Sequence, residues 1–143
     1  MKILVVDDEK LLVKGIKFNL ENEGYQVVTG SNGREAIELA HDPEVRLIVL
    51  DVMMPEIDGL EVCRQLYEKY PETQTIILSA YTDFEYARTA IRYDVADYVL
   101  KLSVLEELPP AVEKVTRKLQ KQKKELEEQL VRMPEKKAAE SLY

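Results

Sequence analysis

Apolar positions along the chain gather in five short runs, Ile3–Val6, Gln26–Thr29, Leu47–Leu50, Thr75–Leu78 and Tyr98–Leu100. Each is followed by a stretch whose apolar residues recur three and four positions apart. An uninterrupted run such as Leu47-Ile48-Val49-Leu50 suits a strand buried on both faces, whereas the longer period marks a helix with one buried face. Strand then helix, five times over, specifies a parallel sheet covered by helices on both sides.

The helix boundaries carry their own signals. Leu12, Ile16 and Leu20 stand four apart, and Gly24 can close that first helix. Asn32 with Glu35 opens a second around Ala36, Ile37 and Ala40 in a capping arrangement. Asp58 with Glu61 opens a third that carries Leu60, Cys63, Leu66 and Tyr67 inward until Pro71 stops it. Thr82 with Glu85 opens a fourth, from about Phe84 to Tyr93.

The fifth helix is expected to start near Pro109, because Pro109 and Pro110 fit a first turn but not a helix interior. No breaker follows until Pro134. Val112, Leu119, Leu126 and Met133 repeat every seven residues, with Val115 and Leu130 near the second seam position and Gln122 interrupting. Two readings fit: a short coiled coil, or a single solvated helix laced with Glu–Lys pairs. The expected organisation is a domain over residues 1–115, a linker helix over 116–133 and a frayed tail over 134–143.

Charge narrows the partners. Residues 1–108 hold 11 Lys/Arg against 21 Asp/Glu, a net −10, while residues 109–143 hold 9 against 6, a net +3. The acidic body argues against direct nucleic-acid binding by the main domain, and the basic excess reads as a mixed-sign helix surface. No apolar run reaches the roughly 20 residues of a membrane span, and the start lacks a signal-peptide pattern, so a cytoplasmic location is expected. The lone Cys63 on an apolar helix side reads as a buried structural thiol, and the lone His41 as a surface residue.

The candidate chemistry lies at the strand ends, where open α/β sheets collect ligands. The first strand ends in Asp7-Asp8, the third in Asp51, the fourth in Ser79, and the fifth continues to Lys101. Taken singly, these are a helix cap, a turn residue and a surface lysine. Taken together they put three carboxylates, a hydroxyl and an ammonium on one rim. Three close carboxylates repel one another unless a hard cation such as Mg²⁺ neutralises them, and the lysine and serine are then left for an arriving anion. That set suits phosphoryl transfer onto Asp51.

The stretches Leu4-Val5-Val6-Asp7-Asp8-Glu9, Leu50-Asp51-Val52-Met53-Met54-Pro55, Asp58-Gly59, Ile77-Leu78-Ser79-Ala80 and Tyr98-Val99-Leu100-Lys101 resemble the receiver domain of two-component response regulators. The resemblance implies a flavodoxin/CheY-like doubly wound (βα)5 sheet of order 2-1-3-4-5. It implies that Asp51 accepts a phosphoryl group from a sensor histidine kinase, and that Asp8, Asp51 and the Met53 backbone carbonyl ligate Mg²⁺ with Asp7 acting through water. It further implies that Ser79 and Lys101 hold phosphoryl oxygens and that Ser79 and Tyr98 form a switch pair. The expected role is a switch, not an enzyme with turnover. Its expected partners are the kinase and a second copy, through the fourth helix, fifth strand, fifth helix and the 112–133 seam. The dimerising face would carry Tyr86, Arg88, Arg92, Tyr93, Asp94 and Asp97. The run from Tyr81 to Ala87 resembles receivers joined to an AraC-type helix-turn-helix output, which would make DNA a partner only through a domain that these residues do not contain.

One departure stands out. The family usually places a proline after the lysine, in a cis peptide that aims it, and this chain has Leu102. A cis bond before leucine costs about 3–4 kcal/mol, so a trans bond, a rearranged loop and a less firmly placed Lys101 are expected. This makes a degenerate, unphosphorylated scaffold the alternative reading. Met53 and Tyr81 cannot orient an attacking water, which predicts a slowly hydrolysed acyl phosphate. The absence of a second acid two residues after Asp51 disfavours an aspartyl-phosphate phosphatase, and Asp7-Asp8-Glu9 disfavours a flavodoxin-like cofactor binder.

Overall fold

The computed structural model describes residues 1–53, 58–80 and 84–132. The chain runs β1 (Lys2–Val6), α1 (Lys10–Asn22), β2 (Gln26–Gly30), α2 (Gly33–Leu39), β3 (Val45–Asp51), α3 (Gly59–Lys69), β4 (Gln74–Ser79), α4 (Phe84–Arg92), β5 (Asp97–Leu100) and α5 (Val104–Arg132). All strand pairs are parallel in the order β2-β1-β3-β4-β5, as the expected doubly wound sheet requires.

Alternation within the strands builds two cores. Ile3, Val5, Leu47, Val49, Ile76 and Leu78 face α1 and α5. Leu4, Val6, Ile48, Leu50 and Ile77 face the side where α2 and α3 contribute Ala36, Val62, Cys63 and Leu66. Because both faces are covered, the central strands tolerate no polar residue until they reach their ends.

The capping signals are half right. Asn32 Oδ1 accepts the Glu35 backbone N–H at 2.9 Å, but the Glu35 carboxylate returns to the backbone N–H and hydroxyl of Ser31. Asp58 Oδ1 accepts the Leu60 N–H at 3.0 Å, while Glu61 turns to Arg64. Gly24 closes α1 at φ 94°, a conformation that glycine adopts freely. Tyr67 is not an inward residue: it is 46% exposed, and Val62 fills the core position. Thr82 lies outside the described residues.

The start of α5 differs from expectation. It begins at Val104, after a 3-10 turn over Lys101–Ser103, and Pro109 and Pro110 lie inside it. Each proline forfeits a backbone donor. The buried stripe Val104, Leu108, Ala111, Val112, Val115 explains why the helix tolerates this, since starting at Pro109 would leave Val104 and Leu108 unanchored. The same stripe corrects the seam: Val112, Val115 and Leu119 are buried in the chain's own core. Leu126, 57% exposed, and the half-buried Leu130 are what remain of it, and Met133 lies outside the described residues.

Candidate functional site

Parallel pairing fixes where the strand ends meet. Val6 pairs with Leu50, Asp51 with Leu78 and Ser79 with Leu100. Asp7, Asp51, Ser79 and Lys101 therefore follow one another along the carboxyl edge, with β1 and β3 forming the point where strand order reverses. Asp7, Asp51 and Ser79 are essentially inaccessible, and Asp8 is exposed beside them.

The geometry is tight. Lys101 Nζ stands 2.9 Å from Asp51 Oδ2, 3.0 Å from Asp7 Oδ2 and 3.3 Å from Glu9 Oε1. Asp51 Oδ1 accepts the Met53 backbone N–H at 2.9 Å, and Asp7 Oδ1 accepts the Glu9 N–H at 2.9 Å. One carboxylate oxygen from each of Asp7, Asp8 and Asp51 lies within 4.8 Å of the other two. Asp7 Oδ2, although within ion-pair distance of Lys101, lacks hydrogen-bond geometry to any described group.

Electrostatics follow from burial. Burial pushes the Asp7 carboxyl up to about 6; the Glu9 N–H opposes this, the Asp51 charge adds to it, and Lys101 opposes it. For Lys101, burial works against the ammonium, but hydrogen bonds and charge from Asp51 and Asp7 outweigh it and hold the amine above its ordinary range. Cys63 is inert, its thiol pushed up to about 12 by burial.

A divalent cation fits this donor set. Three hard oxygen donors converge, one of them carries a buried oxygen left without a hydrogen bond, and a single lysine shares two carboxylates. Asp8, Asp51 and the Met53 carbonyl, with Asp7 behind them, are the groups that would hold Mg²⁺.

The expected site residues mostly assemble. The Lys101–Leu102 peptide is trans, as expected, and Leu102 stands 99% exposed at the 3-10 turn. The lysine is nonetheless firmly placed, with its side chain 13% exposed and three carboxylates around it. The expected loss of placement is therefore overturned: charge aims the side chain where a cis proline is missing. Tyr98 is half-buried on β5 against the α2–α3 core. Tyr81 lies outside the described residues.

Two contributors escaped the sequence reading. Glu9 occupies the N-cap position of α1 without making a side-chain cap bond and turns to Lys101 instead. Gly59 opens α3 directly against the strand end. A Cβ there would overlap Val52 Cα and stand 2.8 Å from the Asp51 carbonyl oxygen, and the Gly59 N–H donates to Val52 O at 3.2 Å. His41 is exposed and meets Tyr70, whose hydroxyl stands 3.4 Å from Nδ1.

The comparisons with known proteins point to one family and one fold. The response regulator receiver domain family matches residues 3–113. The alkaline phosphatase synthesis transcriptional regulatory protein PhoP of Bacillus subtilis is 48% identical over 79 residues, 55% of this chain and 33% of that protein. The chain thus spans about a third of that regulator's length at most in the matched region. Among solved structures, response regulator TrrA of Thermotoga maritima, in complex with Mg²⁺-BeF, is 34% identical with a TM-score of 0.71, covering 79% of this chain and 96% of that one. The receiver domain of AraT from Geobacillus stearothermophilus is 35% identical with a TM-score of 0.76, covering 85% and 97%. A CheY-like receiver from Methanospirillum hungatei is 26% identical at a TM-score of 0.76, covering 87% and 97%. No described helix is long and apolar enough to cross a membrane. By the family match over most of its length, and with the acids and lysine of its strand ends gathered on one edge, this chain belongs to the response regulator receiver domains.

Proposed function

We propose that Asp51 accepts a phosphoryl group from the phosphohistidine of a sensor kinase and that the modified domain is a switch, not an enzyme with turnover. The carrying observation is the buried Asp51 carboxylate held between the Met53 N–H and the Lys101 ammonium, with Asp7 and Asp8 beside it. A carboxylate oxygen of Asp51 attacks phosphorus; the new O–P bond forms as the P–N bond breaks, and the imidazole leaves with the electron pair. Bound Mg²⁺ would neutralise the charge that three carboxylates and a phosphoryl group bring together. Lys101 is placed to move from Asp51 Oδ2 to a phosphoryl oxygen, and Ser79 offers its hydroxyl at the next strand end. Burial of Asp51 and Ser79 keeps bulk water from the acyl phosphate.

Phosphorylation would then bias a two-state element through Ser79 and Tyr98 and alter the face of α4, β5 and α5, with dimerisation as its use. Control of transcription through a separate DNA-binding domain, of AraC type by the resemblance of residues 81–87, is the output we assign, in the cytoplasm. The test is intact-mass measurement after incubation with Mg²⁺ and a small acyl phosphate, alongside amide spectra with beryllofluoride. We expect an 80 Da adduct, lost in Asp51→Asn. Absence of both the adduct and any beryllofluoride response in the wild type would overturn the proposal.

A further inference from the structure

One acid at the crevice has no part in the set that converges for a cation. The oxygens that gather within 4.8 Å of one another belong to Asp7, Asp8 and Asp51. Glu9 stays outside that group, and its side chain is 62% exposed where those of Asp7 and Asp51 are fully buried. Its Oε1 nonetheless accepts from Lys101 Nζ at 3.3 Å.

Local structure gives Glu9 no reason to point there. Its N–H donates to Asp7 Oδ1 at 2.9 Å, and its carbonyl accepts the Val13 N–H at 3.1 Å as α1 begins. An acid at such an N-cap position ordinarily turns to the free amide groups of the first turn and to the positive end of the helix dipole. Glu9 makes no side-chain cap bond and reaches across to β5's end instead.

The lysine at that end faces a conflict. Lys101 Nζ stands 2.9 Å from Asp51 Oδ2 and 3.0 Å from Asp7 Oδ2, on two of the three carboxylates that suit Mg²⁺. An ammonium kept at that distance from both would meet a dication at close range, where like charges repel strongly. Lys101 must therefore yield part of this pairing. Its side chain is only 13% exposed, so a charge released without a new partner would be poorly solvated. Of the carboxylates around the lysine, Glu9 is the one outside the converging set. Exposed and on a flexible stem, it can follow the lysine.

We propose that Glu9 is a positioning residue that takes over Lys101 when Asp7 and Asp51 turn to Mg²⁺, and that it thereby strengthens metal binding. With both buried acids in place, the Glu9 contact is the longest of the three and the most open to water, so it holds the lysine loosely. Its share grows as the other two are withdrawn. A further metal ligand is the competing role for Glu9, and that role needs no lysine. The inference rests on the reading of Asp7, Asp8 and Asp51 as a Mg²⁺ site and is independent of phosphorylation at Asp51.

The test is titration of amide shifts with Mg²⁺ at pH 8, in the wild type and in variants at residue 9, each with and without Lys101→Met. Glu9→Gln should weaken Mg²⁺ binding about three- to tenfold. Glu9→Asp keeps the charge but is one methylene shorter and the better helix cap. It should raise the urea midpoint and still lose about three- to tenfold in Mg²⁺ affinity, a combination that neither a damaged fold nor a lost charge produces. In the Lys101→Met background both losses should shrink below about twofold. Wild-type affinity in either single variant would overturn the proposal, and so would an undiminished loss without the lysine, which would make Glu9 a metal ligand. The Glu9→Asp arm stands by itself where a double variant fails to fold. Absence of saturable Mg²⁺-dependent shifts in the wild type would overturn the metal reading of the site and this inference with it.

Discussion

On the β1–β3 side of the crevice the acids are placed by the sheet, whereas on the β4–β5 side the lysine is placed by the acids. Asp51 is itself the last residue of β3, and Asp7 follows directly on β1; their backbones are fixed by parallel pairing before any side chain interacts. Gly59 then presses α3 against Val52 and pins the turn that supplies the Met53 N–H. Lys101 has no such frame. It sits in a 3-10 turn whose next residue, Leu102, touches almost nothing, and its side chain is held by Asp7, Asp51 and Glu9. Position by hydrogen-bonded backbone survives a change of charge; position by ion pairing does not.

The largest effect should come from breaking the side held by charge. Lys101→Met leaves two buried carboxylates without a cation, and losing one partner of a buried pair costs about 3–5 kcal/mol. We expect urea denaturation without metal at pH 8 to show a loss of that order, and millimolar Mg²⁺ to restore much of it. A loss below about 1 kcal/mol would mean that the acids do not need the lysine.

Gly59→Ala attacks the other side. Its Cβ would have to displace the backbone at Val52 and Asp51, and overpacking against backbone costs about 3 kcal/mol. Here Mg²⁺ should not rescue, because the defect is steric. Rescue equal to that of Lys101→Met would erase the distinction between the two sides.

Next in size is a pH effect. The folded Asp7 carboxyl is raised from 3.8 to about 6, so its contribution to stability is fully present below pH 3.8 and lost as pH rises through about 6. The loss is about 3 kcal/mol at about 1.4 kcal/mol per unit. Lys101, raised from 10.5, keeps its contribution across that window and adds no slope. The metal-free chain should lose this part of its stability between pH 4 and 6, and Asp7→Asn should flatten that part of the curve. An unchanged slope in Asp7→Asn would place the effect elsewhere.

The same contrast explains what was legible in the sequence. Uninterrupted apolar runs ending in acids announced the sheet and the β1–β3 half of the site, because burial on both faces dictates composition. Local rules failed where tertiary contacts outweighed them. Two prolines argued against a helix at Leu108, but Val104 and Leu108 had a core to enter. The heptad at Val112 and Leu119 was real periodicity, spent on the chain's own sheet. Tyr67 kept helical spacing yet stayed outside, since Val62 and Cys63 already filled that face. Glu9 gave no sign of its role because its partner lies 92 residues away.

The smallest effect tests the comparison most sharply. If charge aims Lys101, then Leu102→Pro should matter little. Residue 102 is 99% exposed, so no packing is lost, and proline's fixed φ suits a 3-10 turn. Against this, proline disfavours helical backbone at the residue before it, and that residue is Lys101. These effects oppose each other, and we expect less than about 1 kcal/mol in stability and less than about fivefold in beryllofluoride affinity, read by titration of amide shifts. A tenfold gain in affinity would show that backbone geometry, and not the acids, sets the reach of the lysine. In that case Leu102 would be the element that detunes this receiver, and Lys101→Met should then cost less in the Leu102 background than in the Pro one.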